Sequence, residues 1–83
     1  MNDKTANTNT YNIQRNLING GQYCFFTHNG KEYYADKAYT FDHGEETMIF
    51  ASENNQVTNW TELYCDRSGK SLESCIEEFK KNN

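Results

Sequence analysis

Polar and apolar positions alternate through the middle of the chain. From Tyr23 to Ala51 it reads YCFFTH-NG-KEYYAD-KAYTFD-HG-EETMIFA, a period-two pattern that marks strands, broken by two reversals. The first reversal, Asn29-Gly30, suits the positive φ values that a two-residue hairpin loop demands. Folding about it sets His28 opposite Lys31, Phe26 opposite Tyr33, Phe25 opposite Tyr34 and Cys24 opposite Ala35. Because side chains alternate faces, Cys24, Phe26, Tyr33 and Ala35 share one face. Tyr23, Phe25, Thr27, Glu32, Tyr34 and Asp36 share the other. The face without carboxylates is the predicted core side. The Phe25–Tyr34 cross-strand pair, worth roughly 0.2–1 kcal/mol, covers the second face in part.

The second reversal falls at Asp42-His43-Gly44-Glu45. Pairing Phe41 with Glu46 predicts Tyr39, Phe41, Met48 and Phe50 on one face, with Ala38, Thr40, Thr47, Ile49 and Ala51 on the other. His-Gly fits several loop types, and a slip of one residue exchanges the faces. A polar loop at Ser52–Gln56 follows. A further strand is expected over Thr61–Asp66, where Leu63 and Cys65 alternate with Glu62, Tyr64 and Asp66, and Trp60 stands at its entrance.

Arg67–Lys70 then turns the chain into a helix capped by Ser71. Leu72, Cys75, Ile76 and Phe79 recur at i, i+3, i+4 and i+7, an apolar stripe. Glu73 in the first turn and Lys80 and Lys81 in the last match the helix dipole. At the other end, residues 1–10 are polar and read as a flexible start. Ile13, Leu17 and Ile18 lie at helical spacing between Thr10 as cap and Gly20 as stop, which predicts a short helix. Tyr11, Ile13 and Leu17 also suit a strand, with Arg15 interrupting.

These elements predict one α+β domain over residues 11–83. A small twisted antiparallel sheet of four to five strands, two consecutive hairpins plus one strand, covers a C-terminal helix. The helix stripe is expected to meet Cys24, Phe26, Tyr33, Met48 and Phe50. A chain of 83 residues buries only about 60% of its unfolded surface, but six Tyr and five Phe fill a small core with few residues. No apolar run approaches the roughly 20 residues that span a bilayer, and no charged-then-apolar leader opens the chain. The expectation is a cytoplasmic protein, in the host cytoplasm if viral. Three cysteines without a C-x-x-C pair read as reduced, partly buried thiols. A Cys65–Cys75 bridge is compatible with the spacing and not required by it.

Charge adds the most to this picture. The net charge is −4, yet no Lys or Arg occurs from Ala38 to Asp66, while Asp42, Glu45, Glu46, Glu53, Glu62 and Asp66 supply six carboxylates. Such a belt either solvates an ordinary surface or mimics nucleic acid and occupies a basic cleft on another protein. Tyr23, Phe25, Tyr34 and Tyr64 are expected together on the sheet face away from the helix. Glu32, Asp36 and Glu62 on that face argue against nucleic acid, whose phosphates need basic residues. They favour a protein hot spot or a homodimer contact; the other reading is that the N-terminal segment covers these rings.

Candidate chemistry is sparse. His28 and His43 flank turns at a spacing that supports no metal site. Cys24 and His28 stand too far apart along one strand to act as a nucleophile–base pair. Ser68-Gly69-Lys70-Ser71 echoes the end of a phosphate loop but lacks the upstream glycine and apolar strand. Asn59-Trp60-Thr61 formally matches a glycosylation acceptor. No enzyme, cofactor or metal is expected.

The leading expectation is a small acidic inhibitor or adaptor, monomeric or a small homo-oligomer, that binds one protein with a basic cleft. The carboxylate belt would steer the encounter, and Tyr34, Tyr64 or Trp60 would anchor it. In size, acidity and richness in Asn and Tyr the chain is similar to small orphan proteins of phages and mobile elements. Many of these, anti-CRISPR proteins included, block a host defence protein. The likeness is one of composition and rests on no motif. One alternative is an oligomeric sponge burying a nucleotide-like ligand, with Arg15, Lys31, Lys37, Arg67 or Lys70 on phosphate and Tyr rings on base. A small structural or regulatory subunit is another.

Overall fold

In the computed structural model, which describes residues 11–83, five antiparallel strands precede one helix. They are β1 (Gln14–Arg15), β2 (Gln22–His28), β3 (Lys31–Thr40), β4 (Gly44–Glu53), β5 (Gln56–Asp66) and α1 (Leu72–Lys81). The sheet order is β1-β2-β3-β4-β5, an open meander with α1 on one face, so the expected α+β class holds. The expected flexible start at residues 1–10 lies outside the described residues.

The first hairpin has the register its turn dictates: Phe26 faces Tyr33, Phe25 faces Tyr34 and Cys24 faces Ala35. Asn29 and Gly30 take φ of 53° and 78°. The second hairpin departs from expectation. Thr40 pairs with Gly44, Tyr39 with Glu45 and Ala38 with Glu46, so Phe41 sits in a three-residue loop with its ring wholly exposed. Thr40 closes this loop: its Oγ1 accepts from the His43 amide at 2.9 Å and donates to the Gly44 carbonyl at 3.3 Å. The change is odd-numbered, so β4 turns over. Thr47, Ile49 and Ala51 face α1, and Met48 and Phe50 point away.

Ser52–Gln56 is a hairpin in place of the expected loop. Asn54 and Asn55 both have positive φ (54° and 61°), the signature of a two-residue primed turn. The Glu32 carboxylate braces it, accepting from Ser52 Oγ at 2.7 Å and from the amides of Asn54 and Asn55 at 3.1 and 2.8 Å. β5 then leaves the ladder. Between the pairs Ile49–Tyr64 and Ala51–Asn59, β5 spends five residue steps against two on β4. The surplus makes a bulge of Trp60–Leu63 that bends the edge strand. Beyond it Tyr64 and Asp66 pair with Ile49 and Thr47 on the helix side, while Cys65 pairs with Met48 on the far side.

The N-terminal stretch is extended, not helical. Gln14 and Arg15 pair with Tyr23 and Gln22. Asn16 organises the following turn, its Oδ1 accepting from the amides of Ile18 and Asn19. An edge of β2 offers backbone partners that a lone helical turn lacks, and the extended path delivers Tyr11 to the core. Its ring meets Phe26 edge-on at 6.0 Å. Its hydroxyl donates to Glu77 and accepts from Lys80, whose ammonium stands 4.8 Å from the ring. Leu17 and Ile18 are left 87% and 97% exposed.

Helix α1 forms as its stripe predicts. Ser71 Oγ accepts from the Ser74 amide at 3.1 Å as the N-cap. Leu72, Cys75, Ile76 and Phe79 are buried, and Phe79 makes edge contacts with Tyr33, Phe26 and Tyr64 at 4.9, 6.1 and 6.3 Å. The core is therefore Tyr11, Cys24, Phe26, Tyr33, Ala35 and Ile49 beneath Leu72, Ile76 and Phe79. Among the described residues no helix is long and apolar enough to cross a membrane.

Candidate functional site: the sheet face away from the helix

Helix α1 covers one face of the sheet, and alternation sends a second set of side chains to the other. The registers place Tyr23 and Phe25 of β2, Tyr34 and Asp36 of β3, Met48 and Phe50 of β4 and Cys65 of β5 there. Tyr34 lies at the centre, with ring centroids 5.0 Å from Phe25, 6.1 Å from Tyr23 and 6.3 Å from Phe50. The β5 bulge frees Trp60 from the ladder, and its ring rests on Phe50 at 5.0 Å and beside Tyr34 at 6.5 Å. Phe50 is thereby buried on a face with no second layer among the described residues, while Trp60 stays 69% exposed.

Apolar rims flank this floor. Leu63, on the bulge, is half exposed. On the opposite flank Leu17 and Ile18 line a cleft with Arg15, Asn16, Tyr23 and Tyr34. Exposed aromatic and aliphatic groups gathered this way mark an interaction surface more than a solvated one, and Trp and Tyr are the residues that anchor interfaces.

The carboxylates on this face differ in their support. Glu46 lies 2.6 Å from Arg67 Nε, and that hydrogen bond holds its carboxyl below the usual range. Glu32 is held low chiefly by the Ser52 hydroxyl, with the Asn54 and Asn55 amides adding to it. Asp36 is different. It is half-buried between Tyr23 and Met48, and burial raises its carboxyl above the usual range. One hydroxyl, that of Tyr34, donates to its Oδ2 at 3.3 Å. Burial first, and the Asp36 charge second, push the Tyr34 hydroxyl far above an ordinary tyrosine.

Of the anchors expected from sequence, Tyr34 and Trp60 meet on this face. Tyr64 does not: the bulge turns it towards α1, where its hydroxyl donates to Glu78 at 2.6 Å. The six carboxylates form no continuous belt. Glu45 and Glu46 project to opposite faces; Glu45 pairs with Lys37 at 3.3 Å on the helix side. Asp66, also on that side, accepts from the Ser68 amide and hydroxyl and lies 3.7 Å from Lys70. Glu53 ends β4 at the far tip from Glu45, roughly 26 Å away at the rise of a strand. Asp42, Glu53 and Glu62 are exposed.

The cations named for a nucleotide ligand are spread over the described residues, and two of them, Arg15 and Lys37, share a cleft. Arg67 holds Glu46, Lys70 holds Glu78, and Lys37 holds Glu45 and the Lys70 carbonyl. Lys31 follows the Asn29-Gly30 turn. Arg15 and Lys37 line a cleft with Gly20, Gly21, Gln22 and Tyr39. Among the described residues no His, Cys, Asp and Glu cluster is built to hold a metal ion. All three cysteines are free thiols: Cys24 is buried, which pushes it up to about 11, and Cys65 and Cys75 lie on opposite sides of the sheet.

Sequence reasoning missed Phe50, Met48, Leu17 and Ile18 as members of this face. Phe50 and Met48 depended on the register of the second hairpin, and Leu17 and Ile18 on whether residues 11–18 coil or extend. No protein-family model, curated protein or solved structure matches this chain.

Proposed function

We propose that this protein is a small acidic binding protein that docks its helix-distal aromatic face on a basic surface of one protein partner and blocks it stoichiometrically. The observation that carries the reading is Trp60. It is a large, mostly exposed ring supported by Phe50 and Tyr34, between the apolar rims of Leu17/Ile18 and Leu63. A preformed aromatic ridge of this kind loses little side-chain entropy on binding. Charge sets the partner's sign: Asp36, Glu32, Glu46 and Glu62 belong to this side or its rim, and Arg67 is engaged by Glu46. Such a surface repels phosphate and suits a basic cleft, the kind that otherwise holds nucleic acid. An inhibitor of a nucleic-acid-binding effector, such as a host defence protein met by a phage or mobile element, is the role that fits. It would act in the cytoplasm.

The test is affinity capture on the immobilised protein, alongside Trp60→Ala and Phe41→Ala, both checked for an unchanged far-ultraviolet circular dichroism spectrum. The expected result is one protein retained by wild type and by Phe41→Ala, lost with Trp60→Ala, and displaced by duplex DNA. Retention that survives Trp60→Ala and ignores DNA, or no retention above a blank column, overturns the reading.

A further inference from the structure

Asp36 stands on the docking face with no cation of its own among the described residues. The neighbouring carboxylates are each supported: Glu46 by Arg67, Glu32 by Ser52 and two backbone amides. Among the described residues Asp36 has one hydroxyl donor, Tyr34, although an ionised carboxylate offers about four acceptor sites. A half-buried carboxylate so poorly supplied costs stability unless a partner brings charge and donors. Burial raises its carboxyl accordingly. A group kept where it costs stability is more often a binding group than a structural one.

Its surroundings specify the chemistry of the missing partner. Tyr23 lies directly across β2 and Tyr34 two positions along β3, their rings 6.1 Å apart. Met48, directly across on β4, carries no charge, and Glu46, two residues further on the same face, is engaged by Arg67. Arg15 lines the adjoining cleft and makes no ion pair with Asp36. A carboxylate beside tyrosine faces accepts a flat, delocalised cation: the guanidinium fork meets both carboxylate oxygens, and its plane stacks on a ring. Lysine, a compact and strongly hydrated point charge, gains less there.

We propose that Asp36, with the rings of Tyr23 and Tyr34, is the receptor for an arginine side chain of the partner protein. The inference rests on the docking-face reading and names what the face recognises. The arginine enters beside the Leu17/Ile18 rim, the hydroxyl of Tyr34 keeps the carboxylate oriented, and the Trp60 ridge supplies apolar contact on the other side of Tyr34.

Isotope-labelled protein titrated with N-acetyl-arginine amide, followed by nuclear magnetic resonance, tests the site directly. N-acetyl-citrulline amide, equal in shape and neutral, is the control. Saturable shifts are expected at the Asp36 carboxyl carbon and the Tyr23 and Tyr34 ring protons. They should be at least tenfold weaker with citrulline or in Asp36→Asn, a change that keeps the Tyr34 hydrogen bond. Tyr34→Phe retains the ring and removes the hydroxyl that orients the carboxylate, so it is expected to bind arginine more weakly than wild type but more tightly than Asp36→Asn, and binding equal to wild type would remove Tyr34's hydroxyl from the site. Shifts that map to Asp42, Glu53 or Glu62, or that citrulline reproduces, overturn the assignment. Partner capture separates the two readings. If Trp60→Ala abolishes capture and Asp36→Asn leaves it unchanged, the docking face stands and the arginine site falls. If neither variant affects capture, both fall.

Discussion

Phe79→Ala is the sharpest test of how this fold is held together. The ring is 2% exposed and sits where α1 meets the sheet, edge-on to Tyr33, Phe26 and Tyr64. Truncating a buried Phe costs about 3–5 kcal/mol, combining lost transfer energy with the cavity left behind. The upper part of that range applies, because three rings lose an edge contact worth about 0.5–1.5 kcal/mol each and the rigid sheet beneath cannot collapse into the space. An 83-residue domain holds only about 4–12 kcal/mol in total. With a urea slope of about 1–1.5 kcal/mol/M for so small a chain, the midpoint should fall by roughly 3–5 M. Urea unfolding followed by far-ultraviolet circular dichroism and by Trp60 fluorescence measures this from both faces of the sheet. An unchanged midpoint would refute the docking of α1. A helix signal that melts while the Trp60 transition stays put would show that the two faces are not one cooperative unit.

Three further outcomes follow from the same geometry. Gly30→Val places a β-branched residue at φ 78° and should lower stability by about 1–3 kcal/mol, read as a lower thermal midpoint with partner capture by the folded fraction intact. Asp36 and Glu46 should respond to pH with opposite signs. The folded carboxyl of Asp36 is raised, so its penalty is absent below the unfolded pKa and grows as pH rises through the folded value. Asp36→Asn should thus stabilise at pH 7 and lose that advantage in acid. Glu46 is lowered by Arg67, so its contribution exists above the unfolded pKa and is lost as pH falls through the folded one. Glu46→Gln should destabilise at pH 7 and be indifferent in acid, and urea midpoints from pH 7 to pH 3 check both. Finally, a thiol reagent at pH 8 should modify one cysteine in the native protein, the exposed Cys65, and three after unfolding. Buried Cys24, pushed up to about 11, and buried Cys75 should be protected.

The sequence by itself determined those features that local chemistry settles. Asn29-Gly30 admits one tight turn, and that turn alone pins every pair of β2 and β3. Ser71, Glu73 and the stripe Leu72/Cys75/Ile76/Phe79 likewise mark the helix and the side it buries. Only the tertiary structure decided which way β4 faces. A single hydroxyl, Thr40 Oγ1, closes the second loop three residues long, and this odd step exchanges Phe50 for Ile49 beneath α1. The β5 bulge then moves Tyr64 to the core and Trp60 to the surface. The candidate site followed suit: Tyr34 was legible from the first hairpin, whereas its union with Phe50, Trp60 and the Leu17/Ile18 rim was not. Carboxylates can be counted along a chain, but adjacent strand residues project to opposite faces. Glu45 and Glu46 thus find different cations, and Asp36, across from Tyr23 and two positions from Tyr34, finds none among the described residues. Side-chain period along a strand is local; the register that assigns each period to a face is a contact between distant segments, and the folded sheet alone supplies it.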